Sequence, residues 1–223
     1  MKTKTLSAAA IQKMVDEQVR KWDIMGRDRK KKIAPVITIS RQAGSPGRPL
    51  AQAIAKELKL DIYGSRIIDE VAKSAKMSGA VVASLDEKGR SMLDDWISIL
   101  ETDRSLWSYQ YLKHLVKVIL TIGRHGNAVI LGRGAHLILP PEGVLRVRVI
   151  ASLEERIKNV MAEIGCSRDE ARGRIITVDA GRKAFIRKYF HADIDDPAHY
   201  DLVINAARIP VEKAVDMIKI AWR

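Results

Sequence analysis

A single cysteine, Cys166, stands in 223 residues. It excludes an intrachain disulfide framework and a cysteine-based metal cluster, and it suits a reducing cytoplasm. No apolar run approaches the length of about 20 residues that crosses a bilayer, because Lys, Arg or His interrupts every oily stretch. An export signal is missing too: the basic start, Met1 to Lys4, leads into polar and charged residues, and Asp16 and Glu17 argue against a mitochondrial presequence. The five histidines, His114, His125, His136, His191 and His199, show no H-x-x-x-H or H-E-x-x-H spacing, which argues against a zinc hydrolase. There is no G-x-S-x-G elbow for a serine hydrolase. Aromatic residues make up only 5% of the chain and are not interleaved with basic ones as a base-stacking platform requires, so nucleic acid is disfavoured as a partner. Internal repeats and low-complexity tracts are absent.

Positive charge is what the chain has in excess. Its 39 Lys and Arg exceed its 27 Asp and Glu, for a formal charge of +12 that favours an anionic partner. The excess is uneven: residues 1–34 hold ten basic and four acidic side chains, and residues 165–191 hold seven and three. With 47% hydrophobic residues, the length suits one medium globular domain.

Ile11, Val15, Val19 and Trp22 fall on one stripe of an amphipathic helix over residues 6–25, an appendage that offers a face for association with a second copy. Gly26 to Lys32 follows with Arg27, Arg29, Lys30, Lys31 and Lys32, a solvated linker or a phosphate-binding arm. Residues 1–34 are therefore set apart from a domain over 35–223. From Pro35 a β-branched run, Val36 to Ile39, enters a turn with Gly44 and Gly47, and Leu50 to Leu58 is helical in pattern. Further strand-like runs lie at Ala128 to Leu131, Val144 to Ile150 and Leu202 to Ile204, whereas residues 65–125 carry helical spacing alone. Strands alternating with helices predict an α/β fold with a parallel sheet of about five strands covered on both faces, plus a helical insertion over about 65–125.

A loop that leaves a parallel strand and opens a helix aims backbone N–H groups and the helix dipole at one point, where phosphate is the natural ligand. Arg48 adds a fork of donors. The loop does not match G-x-x-x-x-G-K-S/T, so a plain strand-to-helix turn remains the alternative on this evidence alone.

The ordered motifs carry a resemblance. Ser40-Arg41-Gln42-Ala43-Gly44-Ser45-Pro46-Gly47-Arg48, Asp61-Ile62-Tyr63, Gly132-Arg133-Gly134, Leu153-Glu154-Glu155-Arg156, Asp179 with Arg182, and Asp195-Asp196-Pro197 together resemble the cytidylate kinase-like family, over roughly residues 34–220. The resemblance implies a P-loop nucleoside monophosphate kinase fold with a basic lid over about 165–195. It implies transfer of the γ-phosphoryl group of ATP, with Mg2+, to a nucleoside monophosphate, a small-molecule nucleotide partner. On it, Gly44, Ser45, Gly47 and Arg48 cradle the donor phosphates, Ser65 and Arg133 hold the acceptor, and Arg182 closes the lid; Arg48, Arg133 and Arg182 are the expected catalytic residues. Arg133 read without the resemblance is also consistent with a strand-end arginine paired to a carboxylate.

Departures from the family pattern qualify this. Aligned without a gap, the loop lysine falls on Gly47 and the magnesium-binding hydroxyl on Pro49; the acidic positions around the G-R pair are Leu131 and Gly134, and an expected acceptor arginine is Glu70. Magnesium ligands are therefore unassigned, with Asp69, Asp179 and Asp201 as candidates, Asp201 better read as structural. Two functions follow: a phosphotransferase, or a degenerate kinase that binds nucleotide as a regulatory module without turnover.

Overall fold

In the computed structural model, residues 7–27, 35–85, 87–100 and 106–222 are described. Of the basic stretch, Arg29, Lys30, Lys31 and Lys32 lie outside the described residues. The chain forms two compact units: one from the described residues of 36–62 and 128–223, the other from those of 2–35 and 63–127.

In the first unit, β1 (Val36–Arg41) is followed by α2 (Gly47–Glu57) and the first half of β2 (Asp61–Gly64), then by β3 (Ala128–Leu131), α7 (Ala135–Ile138) and β4 (Val144–Ile150). The chain goes on through α8 (Leu153–Ile164), α9 (Arg168–Phe190), β5 (Leu202–Asn205) and α10 (Val211–Ala221). The sheet is five-stranded in the order β2-β3-β1-β4-β5. β1 runs parallel to β3, with Val36 opposite Ala128, and to β4, with Val36 opposite Val144; β4 runs parallel to β5. The expected parallel α/β sheet of about five strands is thus the one observed. β2 escapes sequence patterning because it is short and only partly buried, with one β-branched residue in four.

Burial explains why Val36 to Ile39 forms the central strand. Its first five residues are all buried, so β-branched side chains pack on both sheet faces. Ile37, Ile39, Val129, Val147 and Val149 form a continuous core with Ile54 of α2. The strand order reverses about β1, the chain moving from it to β2 on one side and, through β3, to β4 on the other. In such sheets a crevice opens outside the carboxyl ends of the strands at that point. Gly165, left-handed at φ 69°, ends α8, and Ser167 opens α9 with a reciprocal capping box to Glu170. Ile157, Val160, Ala171 and Ile175 of these two helices enclose Ala43, fixing the hairpin beside the loop after β1.

The second unit is helical: α1 (Ala8–Arg27), α3 (Ser65–Lys73), α4 (Ala75–Ala83), α5 (Glu87–Leu100) and α6 (Leu106–His125). α1 packs on α3 and α4, while α6 packs on α3, α4 and α5. Trp22 stacks on His125 at 4.2 Å between ring centroids. Ile11, Val15 and Trp22 are buried, so the apolar stripe of α1 is largely covered within the chain rather than left for a second copy. No helix among the described residues is long and apolar enough to cross a membrane.

Ile39 of β1 is fully buried in the core that the sheet shares with α2. Ile39→Ala is expected to lower unfolding stability by about 3 kcal/mol, read as a reduced urea midpoint with an unchanged m-value.

Candidate functional site

The segment between β1 and α2 is held by its own backbone and by α8 and α9. Gln42 N–H donates to the Val149 carbonyl at 3.0 Å, and the Gln42 side chain accepts from Ala151 N–H at 3.0 Å. The Ser45 hydroxyl donates to the Gln42 carbonyl at 2.8 Å, a bond that shapes the turn and commits its proton. Gly44 has φ 77°, and its carbonyl accepts from Asn159 at 2.9 Å. α2 then begins with no acidic residue in its first turn, leaving the positive end of its dipole unopposed there. Arg48 is exposed on that first turn.

One carboxylate enters the loop. Asp179 of α9 accepts from Ala43 N–H at 2.8 Å and pairs with Arg156 at 2.6 Å. Three residues on, Arg182 Nη1 donates to the Arg41 carbonyl at 2.8 Å. A single turn of α9 thus brings one anion and one cation against the loop.

Arginines surround this point. Arg148 of β4 is 4% exposed, donating to Ser40 Oγ at 2.8 Å and to Asp195 at 2.7 Å. Arg41, the last residue of β1, extends across the loop: a Cβ placed on Gly47 would lie 2.6 Å from its Cβ and 2.9 Å from its Cγ. A Cβ on Gly132 would collide with its Nη1. Gly47 therefore needs to be glycine because the base of the Arg41 side chain fills the space beside it, whereas Gly132 is called for by its left-handed φ of 82°. Burial, then the charges of Arg182, Arg133, Arg148 and Arg48, lower the Arg41 pKa to about 9, still cationic at neutral pH. Burial also lowers the pKa of Arg182.

Arg133 follows β3 in an unusual turn. Gly132, Arg133 and Gly134 all have positive φ, at 82°, 58° and 70°. For a residue with a side chain this conformation costs about 1 kcal/mol or more, and it persists where the surroundings enforce it. The Arg133 guanidinium lies 5.8 Å from the ring centroid of Phe185 on α9.

The expected site residues thus divide. Gly44, Ser45, Gly47, Arg48, Arg133 and Arg182 all lie in the first unit, around the carboxyl ends of β1 and β3. Ser65 opens α3 in the second unit. Patterning missed Arg41 and Arg148. Each has a visible signal: an arginine ending a buried strand before a glycine loop, and an arginine inside the alternating Val144-Leu145-Arg146-Val147-Arg148-Val149.

A cavity of about 160 Å³ opens here, lined by Arg41, Gln42, Arg148, Asp179, Arg182 and Lys183 among others. The guanidinium groups in its lining suit a phosphate-bearing anion. They do not suit a magnesium ion held by the chain. Asp179 is committed to Ala43 and Arg156, Ser45 to Gln42, and Asp201 accepts from Arg146 N–H at 2.7 Å as a strand-end cap. Asp69 accepts from Tyr111 at 2.7 Å in the other unit. Among the described residues no three His, Cys, Asp or Glu side chains converge as a metal site.

A parallel sheet whose first strand feeds a glycine loop and a helix, with arginines gathered above the strand ends, is the architecture of the P-loop kinase class. The chain belongs to the cytidylate kinase-like family, whose model matches residues 36–208. It is similar to the cytidylate kinase of Ignicoccus hospitalis, 28% identical over 184 residues that cover 82% of this chain and 96% of that protein. The cytidylate kinase of Methanopyrus kandleri is 27% identical over 190 residues, covering 85% and 93%. Among solved structures, an uncharacterized protein from Eubacterium ventriosum shares the fold, with a TM-score of 0.67 at 23% identity, covering 86% of this chain and 98% of that one.

The electrostatics reach one neighbouring group that pH exposes. His136, 4% exposed on α7, stacks on Tyr200 at 4.8 Å. Burial, then His199, Arg148 and Arg146, press its pKa down to about 3 from an ordinary 6.5. Above pH 6.5 the ring is neutral whether the chain is folded or not. Below that the unfolded chain takes up a proton that the folded chain refuses, so stability falls as pH falls from 6.5 toward 3. The expected slope from this group is about 1.4 kcal/mol per pH unit. Urea midpoints measured from pH 7 to pH 4 are expected to decline more steeply in the wild type than in His136→Phe, which cannot take the proton.

Proposed function

We propose that this protein is a nucleotide phosphotransferase that moves the γ-phosphoryl group of ATP to a nucleoside monophosphate or a related small acceptor. The observation that carries the reading is the convergence of Arg41, Arg48, Arg133, Arg148 and Arg182 at the carboxyl ends of β1, β3 and β4 in a chain of this family. Phosphoryl transfer asks a protein mainly to align two anionic groups and to offset the charge on the transferring oxygens, which fixed guanidinium groups do well.

On this reading Gly44, Ser45 and Gly47 form the donor loop, Ser45 through its backbone, and Arg48 at the start of α2 adds charge at its rim. Arg133, presented by its left-handed turn, binds the acceptor phosphate, with Ser65 on the acceptor side. Arg182 links α9 to the loop and draws negative charge toward it. ATP supplies an activated phosphoryl group; the side chains named here bind, align and neutralise. A reducing cytoplasm is the compartment this assigns.

A second reading, a nucleotide-binding regulatory module without turnover, is favoured by one observation: Asp179 occupies Ala43 N–H, a donor that the phosphate loop would otherwise present. The two part on a single screen. With ATP, magnesium and a panel of nucleoside monophosphates, ADP production by the wild type with at least one acceptor is expected to exceed that of Arg133→Ala by roughly a hundredfold. ATP binding by calorimetry without turnover on any acceptor would favour the regulatory module.

A further inference from the structure

We propose that Arg41 supplies, from the end of β1, the cation that a phosphate loop ordinarily takes from its lysine. This rests on the phosphotransferase or nucleotide-binding reading above. In the usual loop the lysine leaves the backbone at the start of the helix and reaches the β- and γ-phosphates. Here that position is Gly47, and the space a side chain would enter there is filled by Cβ and Cγ of Arg41. Arg41 therefore starts across the loop beside the point from which the lysine would leave, and its guanidinium runs on to the Gly132 turn.

Three further observations agree. A Cβ on Gly132 would strike the Arg41 guanidinium, so the arginine spans from the loop after β1 to the turn after β3. Arg41 lines the cavity with Arg148 and Arg182. Among the described residues, no ion pair joins it to a carboxylate, although Arg148, Arg156 and Lys183 each have one. A cation placed among cations, half-buried and without a counter-charge of its own, is stabilised by an arriving anion. Arg48, next to Gly47 in sequence, is instead exposed on α2.

The arrangement also predicts how the cation can be moved back. Gly47 has no left-handed φ, and beyond Arg41 its nearest neighbour is Val149 Cβ at 3.7 Å, an ordinary contact. Removing the Arg41 side chain therefore clears the position for a lysine.

Calorimetric titration of the full chain with ATP, ADP and AMP tests the proposal. Arg41→Ala is expected to weaken ATP and ADP binding by roughly ten- to a hundredfold, the loss of a charge-assisted contact, and to leave AMP binding within about twofold. Unchanged ATP affinity, or an equal loss for all three nucleotides, would overturn it, the latter marking Arg41 as a structural strut. Should Arg41→Ala not fold, the double variant Arg41→Gly, Gly47→Lys carries the test. A folded protein with ATP affinity within about tenfold of the wild type supports the exchange of one cation for the other, and loss of ATP binding by that folded variant overturns it. Failure of the wild type itself to bind ATP or ADP would instead bring down the nucleotide-binding reading and this proposal with it.

Discussion

Repulsion among guanidinium groups at the carboxyl end of the sheet is the constraint around which this unit is organised. Arg41 and Arg182 each lie within reach of the charges of Arg133 and Arg148, which add to burial in lowering their pKa values. Such a cluster survives only where hydrogen bonds and carboxylates answer it. Arg148 has Ser40 and Asp195, Arg182 has the Arg41 carbonyl, and Lys183 shares Asp195 at 2.9 Å. The strand order makes the cluster possible, since β1, β3 and β4 are adjacent and parallel and so end on the same edge.

The α8–α9 hairpin is bound into the same balance. Its apolar side grips Ala43, and its polar side sends Asp179 and Arg182 to the loop from a single turn. Packing and charge thus fix one helix at one height over the loop. Loosening the apolar grip would alter which loop groups meet a ligand without touching a charged residue.

Most of the fold could be read from the chain because its strands are buried on both faces and therefore spelled in β-branched residues, as in Val36-Ile37-Thr38-Ile39. β2, lying at the sheet edge and only partly buried, carries no such signature. The loop and the Gly132-Arg133-Gly134 turn were legible as motifs, but the interplay between them was not. Gly47 and Gly132 are 85 positions apart in the chain, and only the tertiary structure shows that the Arg41 side chain runs from beside one to beside the other. Read linearly, Gly47 signals a missing lysine; read in space, it signals an occupied one. Ser45 fails in the opposite sense. In the sequence its hydroxyl looks available to a donor phosphate, yet the turn it belongs to consumes its proton.

Charge at the cavity mouth sets what a ligand gains. The lining holds Arg41, Arg148, Arg182 and Lys183 against Asp179 and Asp195, a balance of two positive charges. A ligand with one negative charge would leave the cavity cationic, whereas a di- or triphosphate carries enough charge to neutralise it. Asp179 opposes entry twice, by its charge and by holding Ala43 N–H, yet it also neutralises Arg156, which has no place among the cavity-lining residues. The net attraction for phosphate is therefore a difference between the pull of the basic groups and the smaller opposition of Asp179 and Asp195. Such a difference depends closely on α9, which carries the opposing Asp179 and the attracting Arg182 three residues apart and so sets both contributions at once.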